Sequence, residues 1–357
     1  MTNTRLRAGL AAATVVAVGA AVIGLSPAAY AGGDGHRGHQ LPSRFHWTST
    51  DQLIAPKPDA THPIVSVKDP SVVRYRGQWL VYATTADTAG NWSLQYLSFR
   101  DWRDAASATP YFLDQSPIGP GYRAAPQLFY FTPQHLWYLV YQTDGGASYS
   151  TNTDPTRPQN WTAPKNFYAA MPDIIKQNIG NGYWVDMWVI CDHVNCYLFS
   201  SDDNGHLYRS QTRLADFPNG FGNTQIALSD PNRFAVFEAS NVYKVEGTDQ
   251  YLLLVEAIGA HGRYFRSWTS THIAGTWTPL ADTEDNPFAG FNNVTFTGTP
   301  WTTSISHGEM IRHGFDQRLT IDPHHLQYLY QGVDPTVNTD YSQLPWRLGL
   351  LTQTRGH

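Results

Sequence analysis

The sequence predicts an all-β protein, a five-bladed β-propeller. Three observations lead there. One stretch near the middle reads as three short strands joined by tight turns. That unit recurs along the chain at spacings of 56, 61, 52 and 69 residues between equivalent positions. The first strand of most copies carries a polar residue in otherwise apolar surroundings. Repeats of about 50 residues with three or four strands each mark propeller blades.

The middle stretch sets the pattern. Trp184 to Cys191 is apolar and rich in β-branched and aromatic residues. Asp192 to Asn195 is turn material, Cys196 to Ser200 a second strand, Asp203-Asn204-Gly205 a second turn, and a third strand starts at His206. Asp186 sits near the start of the first strand with aromatic residues on both sides. A charge there is costly unless it has a partner or a task.

The other copies begin at Lys68-Asp69-Pro70, Ala124-Ala125-Pro126, Phe237-Glu238-Ala239 and Ser306-His307-Gly308. A second apolar strand follows each, as in Trp79 to Tyr82, Trp137 to Tyr141 and Tyr251 to Val255. In a propeller the first strand of each blade lines the central axis. Asp69, Ala125, Asp186, Glu238 and His307 are therefore expected to ring one funnel. Three acids and an imidazole converging from distant parts of a chain form an active-site pattern.

Taken in order, residues 1–31 read as a secretory signal. Arg5 and Arg7 precede an apolar run from Ala8 to Leu25, and Ala29-Tyr30-Ala31 is a small-x-small cleavage site. A retained anchor is the other reading of that run. Removal and export imply a secreted, extracellular protein with no membrane attachment. Residues 32–45 form a Gly- and His-rich leader, expected to be disordered, and 46–357 the propeller. The segment from Leu41 to Thr61 contains prolines and is expected to wrap the first or last blade. Without Arg5 and Arg7, 22 basic side chains face 29 acidic ones, so no basic surplus points to nucleic acid. Twelve Trp and twenty Tyr suit either sugar stacking or a β-rich core.

Within the blades, Asp69 reads as an axial carboxylate or as a turn residue. Asp87 and Trp92 fall on a loop that can shape the rim. Cys191 and Cys196, the only cysteines, flank a four-residue turn. In an exported protein they are expected to pair, with stabilisation at the lower end of the usual range because the loop is short. Two cysteines alone lack the further ligands of a zinc site. Glu256 ends an apolar strand, and an ion pair with Arg263 or Arg266 is its expected explanation. His307 reads as a hydrogen-bonded structural residue or as a contact to metal or water. Leu348 to Thr352 is a last strand that can pair with the N-terminal segment and close the ring.

The chain from about residue 46 to 355 resembles glycoside hydrolase family 62, the α-L-arabinofuranosidases. The resemblance rests on Val67-Lys68-Asp69, Ala125-Pro126-Gln127-Leu128-Phe129, Asp203-Asn204-Gly205, Val255-Glu256-Ala257-Ile258-Gly259-Ala260, Gly262-Arg263-Tyr264-Phe265-Arg266-Ser267, Ile305-Ser306-His307-Gly308 and Tyr328-Leu329-Tyr330-Gln331-Gly332. It implies a five-bladed propeller that removes arabinofuranose side chains from arabinoxylan, and often from arabinan or their oligosaccharides, with inversion. It assigns the general base to Asp69, the general acid to Glu238, and the carboxylate that tunes the acid's pKa and orients the sugar to Asp186. It further implies sugar contacts at Lys68 and Tyr341, with Arg347 and Asn241 as additional substrate-binding candidates. An axial calcium near His307 completes the set. The chain is expected to act as a monomer. Pro70, Asn241, Trp346 and Leu348 depart from the family's commoner residues and leave the choice between arabinoxylan and arabinan open.

The residue types suit the chemistry. Inversion needs one carboxylic acid and one carboxylate about 6.5–9.5 Å apart, leaving room for a water. The rival readings are a non-catalytic sugar-binding propeller, which has no need of the acids, and a related inverting arabinanase or xylosidase.

Overall fold

The computed structural model describes residues 40–354. The expected signal segment and most of the leader lie outside the described residues. Five mainly antiparallel sheets are arranged as blades around an axis. Blade one comprises Ile64–Tyr75, Gln78–Asp87, Trp92–Phe99 and Tyr111–Phe112. Blade two comprises Ala124–Phe131, Leu136–Thr143, Gly146–Asn152 and Lys165–Asn166. Blade three comprises Val185–Cys191, Asn195–Ser201, His206–Arg213 and Gly222–Ser229. Blade four comprises Glu238–Val245, Tyr251–Gly259, Gly262–Ser270 and Thr278–Ala281, and Thr320–Ile321 pairs parallel with its inner strand.

Blade five is built from both ends of the described chain. Its inner strand Ser306–Met310 is followed by Gln327–Gly332 and Arg347–Gln353, and then by Trp47–Ser49, which lies between Arg347–Gln353 and Val294–Phe296. Trp47 pairs with Gln353 antiparallel and with Val294 parallel, which closes the ring as the sequence led us to expect. Packing begins earlier than residue 46. Leu41 and Phe45 are buried in the core, and Phe45 packs on Trp47 and Phe288. The expected leader boundary at 45 is therefore corrected, because two apolar side chains anchor its end.

Cys191 and Cys196 face each other across the blade-three hairpin and are disulfide-bonded. Between blades, polar side chains replace sheet pairing. Gln127 exchanges hydrogen bonds of 2.7 and 2.8 Å with the backbone of Val189. Glu309, fully buried, accepts from Ser71 Oγ at 2.6 Å and from the Val72 N–H at 2.8 Å, and is paired with Arg312. Inner strands splay around the axis, so their buried backbone groups need such partners.

Every inner strand carries a bulge at its axial end. The pairing slips after Lys68, Ala124, Val185, Glu238 and Ser306. Asp69, Ala125, Asp186 and Ala239 lie within these bulges with φ of 48°, 52°, 59° and 54°. Such left-handed backbone is uncommon for residues with a side chain and clusters where function demands it. This corrects the expected alignment of anchors by one residue in blade four. Ala239, not Glu238, is the counterpart of Asp69, Ala125 and Asp186, and Glu238 corresponds to Lys68.

The N–H groups of the bulges are satisfied by a repeated device. Asp69, Ala125, Asp186 and His307 donate to Gln331 Oε1, Thr84 Oγ1, Gln142 Oε1 and Glu256 Oε2, at 2.6–2.8 Å. Each acceptor lies on the second strand of the preceding blade, at the position paired with that blade's residue just before its bulge. Blade three has Ser201 at this position. Its Oγ is buried and unpartnered, and the Ala239 N–H donates instead to Asp186 Oδ2 at 2.7 Å.

Candidate active site

The bulges determine what the funnel contains. Asp69 and Asp186, buried in the mouths of blades one and three, flank His307: its Nδ1 lies 3.4 Å from Asp69 Oδ1 and 3.7 Å from Asp186 Oδ2. Burial first, then the charges of Glu238 and Asp69, push the Asp186 carboxyl well above the usual range, against the pull of the Ala239 N–H and Lys68. The structure thus gathers Asp69, Asp186, Glu238 and His307 in one mouth.

Glu238 enters from blade four. Its Oε1 accepts from Arg263 Nη1, which also pairs with Glu256 Oε1 at 2.5 Å. Arg263 stands in the hairpin strand beside Glu256, so the pair expected from sequence is present, and the same guanidinium also holds the acid candidate. Burial and the Glu238 charge push Glu256 up against the pull of Arg263. Glu256 also accepts from Ser306 Oγ at 3.0 and 3.1 Å, Ser306 Oγ accepts from Gln331 Nε2 at 2.9 Å, and Gln331 Oε1 holds the Asp69 N–H. One hydrogen-bonded chain therefore runs from Glu238 through Arg263, Glu256, Ser306 and Gln331 to the backbone of Asp69.

The rim is aromatic and basic. Lys68 Nζ lies 3.7 Å from Asp69 Oδ2, 4.0 Å over the Trp92 ring and 3.3 Å from the Tyr341 hydroxyl. Burial opposes the Lys68 charge, but Asp69, Tyr341 and Glu238 outweigh it and hold its pKa above the ordinary value. Tyr341 is 41% exposed at the mouth, with Lys68 Nζ 4.9 Å from its ring centroid. Trp92 and Tyr122 continue this wall.

One expected sugar contact is corrected. Asn241 is fully buried and its Oδ1 accepts from Tyr328 at 3.3 Å, so it serves the core. Arg347 is partly exposed and donates from Nη1 to the carbonyls of Pro345, Trp346 and Val65, which fixes the segment carrying Trp346. Sequence reasoning missed Asp203 as a site residue. It lies on the turn after the second strand of blade three, with φ 53° and buried, and burial first, then the charges of Glu238 and Asp186, push its carboxyl up to about 9. Its only signal was an Asp-Asn-Gly turn, which by itself marks a hairpin.

The comparisons with known proteins agree with this geometry. Residues 46–352 match the model of glycosyl hydrolase family 62. Alpha-L-arabinofuranosidase C of Cellvibrio japonicus is 45% identical over 315 residues, an alignment covering 87% of this chain and 48% of that protein. The chain therefore spans about half the length of this curated relative. The catalytic domain of the Coprinopsis cinerea GH62 α-L-arabinofuranosidase superposes with a TM-score of 0.86 at 62% identity, covering 88% of this chain and 98% of the other. A GH62 hydrolase crystallised with xylotriose superposes with a TM-score of 0.85 at 55% identity, over 88% and 99% of the two chains. A family match across the whole propeller, joined to three carboxyl groups in one axial mouth, places this chain in glycosyl hydrolase family 62.

Proposed function

We propose that the protein is an exported, inverting α-L-arabinofuranosidase that removes arabinofuranosyl side chains from arabinoxylan and its oligosaccharides, acting as a monomer. The observation that carries this is the convergence of Asp69, Asp186 and Glu238 in one mouth, in a chain whose relatives bear that activity in their names. Asp69, beside Lys68, takes a proton from water as that water attacks the anomeric carbon. Glu238 gives its proton to the departing xylose oxygen. Asp186 faces both and holds the blade-four bulge in place. The exposed Tyr341 and Trp92 suit a sugar ring, and the xylotriose complex of a relative supports xylan as the substrate backbone. A disulfide fits an oxidising compartment and so supports export.

The axial calcium implied by the family resemblance meets a sparse donor set. Calcium takes six to eight oxygen ligands. Among the described residues no group of three or more His, Cys, Asp or Glu side chains is arranged to hold a metal. The side chains present do not form a calcium cage. A cation here would rest on His307 and water, in a structural role, and no step of the reaction runs through it.

The test is arabinose release, measured by anion-exchange chromatography, from arabinoxylan, branched arabinan and debranched arabinan in parallel. Arabinose from arabinoxylan without shortening of the xylan backbone is expected. Absence of arabinose from all three, with folded protein, would overturn the reading.

A further inference from the structure

We propose that Phe234 determines leaving-group specificity: its exposed ring is the platform on which a xylosyl unit of the departing chain stacks beside Glu238. The inference deepens the proposed function, because it gives the xylan backbone a contact, and it rests on Glu238 being the acid.

The position follows from the chemistry. A general acid must stand within hydrogen-bond reach of the glycosidic oxygen, about 2.6–3.2 Å. The Glu238 side chain is recessed, at 15% exposure, so the sugar that keeps this oxygen lies between Glu238 and solvent. The way out from Glu238 is aromatic. Arg263 Nη1 holds Glu238 Oε1, and the Arg263 guanidinium lies 5.3 Å from the ring centre of Phe237, the half-buried residue before the acid. The Phe234 ring stands 6.1 Å from that of Phe237 and is 45% exposed. Arg263 also lies 5.5 Å from the Tyr341 ring, which neighbours Trp92. The Phe234–Phe237 ledge and the Tyr341–Trp92 wall therefore meet at one guanidinium.

The ledge is held from behind. Asp230 Oδ1 accepts from the Asn232 N–H at 2.9 Å, and Asn232 Oδ1 accepts from the Phe234 N–H at 3.2 Å. The Phe234 carbonyl accepts from the Ile258 N–H at 2.8 Å, and the Ala235 carbonyl from Arg266 Nη1 at 2.7 Å. Val236 is buried and pins the segment. A ring on so fixed a backbone loses little freedom when a ligand covers it. Phe has no polar tip that gains from water, so covering it is favourable. A xylopyranose ring has no hydroxymethyl group and presents flat C–H faces to such a surface. A furanose ring is puckered and smaller. The ledge thus favours a xylan chain over an arabinan chain as the leaving group.

The decisive variant is Phe234→Ala. Phe234→Trp keeps a flat ring, and Phe291→Ala removes an exposed Phe on the connection from blade four to blade five. For each, kcat and KM are measured on arabinoxylan and on branched arabinan, and xylotriose binding is measured by isothermal titration calorimetry. Phe234→Ala is expected to raise KM on arabinoxylan roughly 5- to 20-fold, the loss of one stacked ring. Its kcat should stay within about twofold, because the contact is the same before and in the transition state. KM on branched arabinan should rise much less, and xylotriose should bind more weakly. Phe234→Trp should recover most of the KM on arabinoxylan, and Phe291→Ala should match the parent. An unmoved KM, an equal rise on both polysaccharides, or the same rise in Phe291→Ala would overturn the proposal. The titration separates the two readings. If the parent releases no arabinose, the proposed function falls, and weaker xylotriose binding by Phe234→Ala would still put a xylan chain on the ledge. If the parent is active and Phe234→Ala binds xylotriose as the parent does, only the role of Phe234 falls.

Discussion

The Asp186 carboxylate accepts a 2.7 Å hydrogen bond from the backbone N–H of Ala239, the residue after Glu238. One side chain thus both faces the reacting centre and fixes the strand that presents the acid. The two duties separate by substitution. Asp186→Asn removes the ionisable carboxyl but keeps an oxygen acceptor, so it is expected to lose most activity at little cost in stability. Asp186→Ala leaves the Ala239 N–H buried and unpaired and is expected to cost a further ~1–3 kcal/mol. Urea denaturation of the two variants checks this, and equal stabilities would remove the supporting role.

The stereochemistry follows from the blade arrangement. Asp69 and Glu238 come from blades one and four, with blade five between them. The proposed inverting reaction requires that a furanose and a water fit between these two carboxyls. Proton NMR in the first minutes of hydrolysis is expected to show the β anomer of arabinose from the α-linked substrate. Early α anomer would mean double displacement, and Asp69 would not be a water-activating base. Asp69→Ala and Glu238→Ala should each remove most activity on arabinoxylan while leaving the fold intact.

Arg263 neutralises two acids, one of them fully buried. Arg263→Met is expected to destabilise by about 3–5 kcal/mol, since it strands a buried charge. Adding Glu256→Gln should recover part of this, because the amide still accepts the His307 N–H without a charge. Thermal unfolding of the single and double variants measures the coupling, and strict additivity would mean that the pair is not interacting.

Asp203 also marks the pH dependence of stability. Its folded pKa, raised to about 9, lies far above the ordinary value of 3.8. The folded state then holds a proton that the unfolded state has released, so the group's contribution falls as pH rises from about 4 to about 9. Asp203→Asn lacks this slope. Its stability relative to the parent is expected to climb across that window, read as a growing difference in Tm. A constant difference would mean that the carboxyl is ionised throughout.

The cation proposal is checked by metal analysis of dialysed protein and by Tm before and after chelation. Bound calcium with a lowered Tm on chelation is expected. No metal and no shift would leave His307 as a hydrogen-bonded residue of the carboxylate cluster.

Much of this architecture was legible in the chain. Apolar runs of period two, separated by turn residues, mark the blades, and an ion pair of Glu256 with Arg263 or Arg266 was expected of a buried acid, of which the structure forms the one to Arg263. What escaped depends on backbone geometry that residue types do not encode. The bulges shift Glu238 by one place relative to Asp69, because an extra residue in a strand leaves no mark in hydrophobic period. Asp203 looked like any hairpin turn, since its burial near the charges of Glu238 and Asp186 depends on how the blades pack. Asn241 was misread because in a strand one step along the chain turns a side chain from the funnel into the core.

The hydrogen-bond relay from Thr84, Gln142, Glu256 and Gln331 to the bulge of the next blade gives the ring a direction of dependence. A blade by itself is therefore not the natural unit of exchange. Its mouth is completed by the blade before it, so a transplanted blade arrives with an acceptor for its neighbour and without one for itself. Between blades three and four the supply comes from the Asp186 carboxylate in the mouth. Grafts that respect this would cut between the first and second strands of a blade, moving each bulge together with the side chain that accepts from it, except at blade three, where Asp186 lies on the first strand itself. Boundaries drawn at the loops between blades would break the mouth even where every sheet survives.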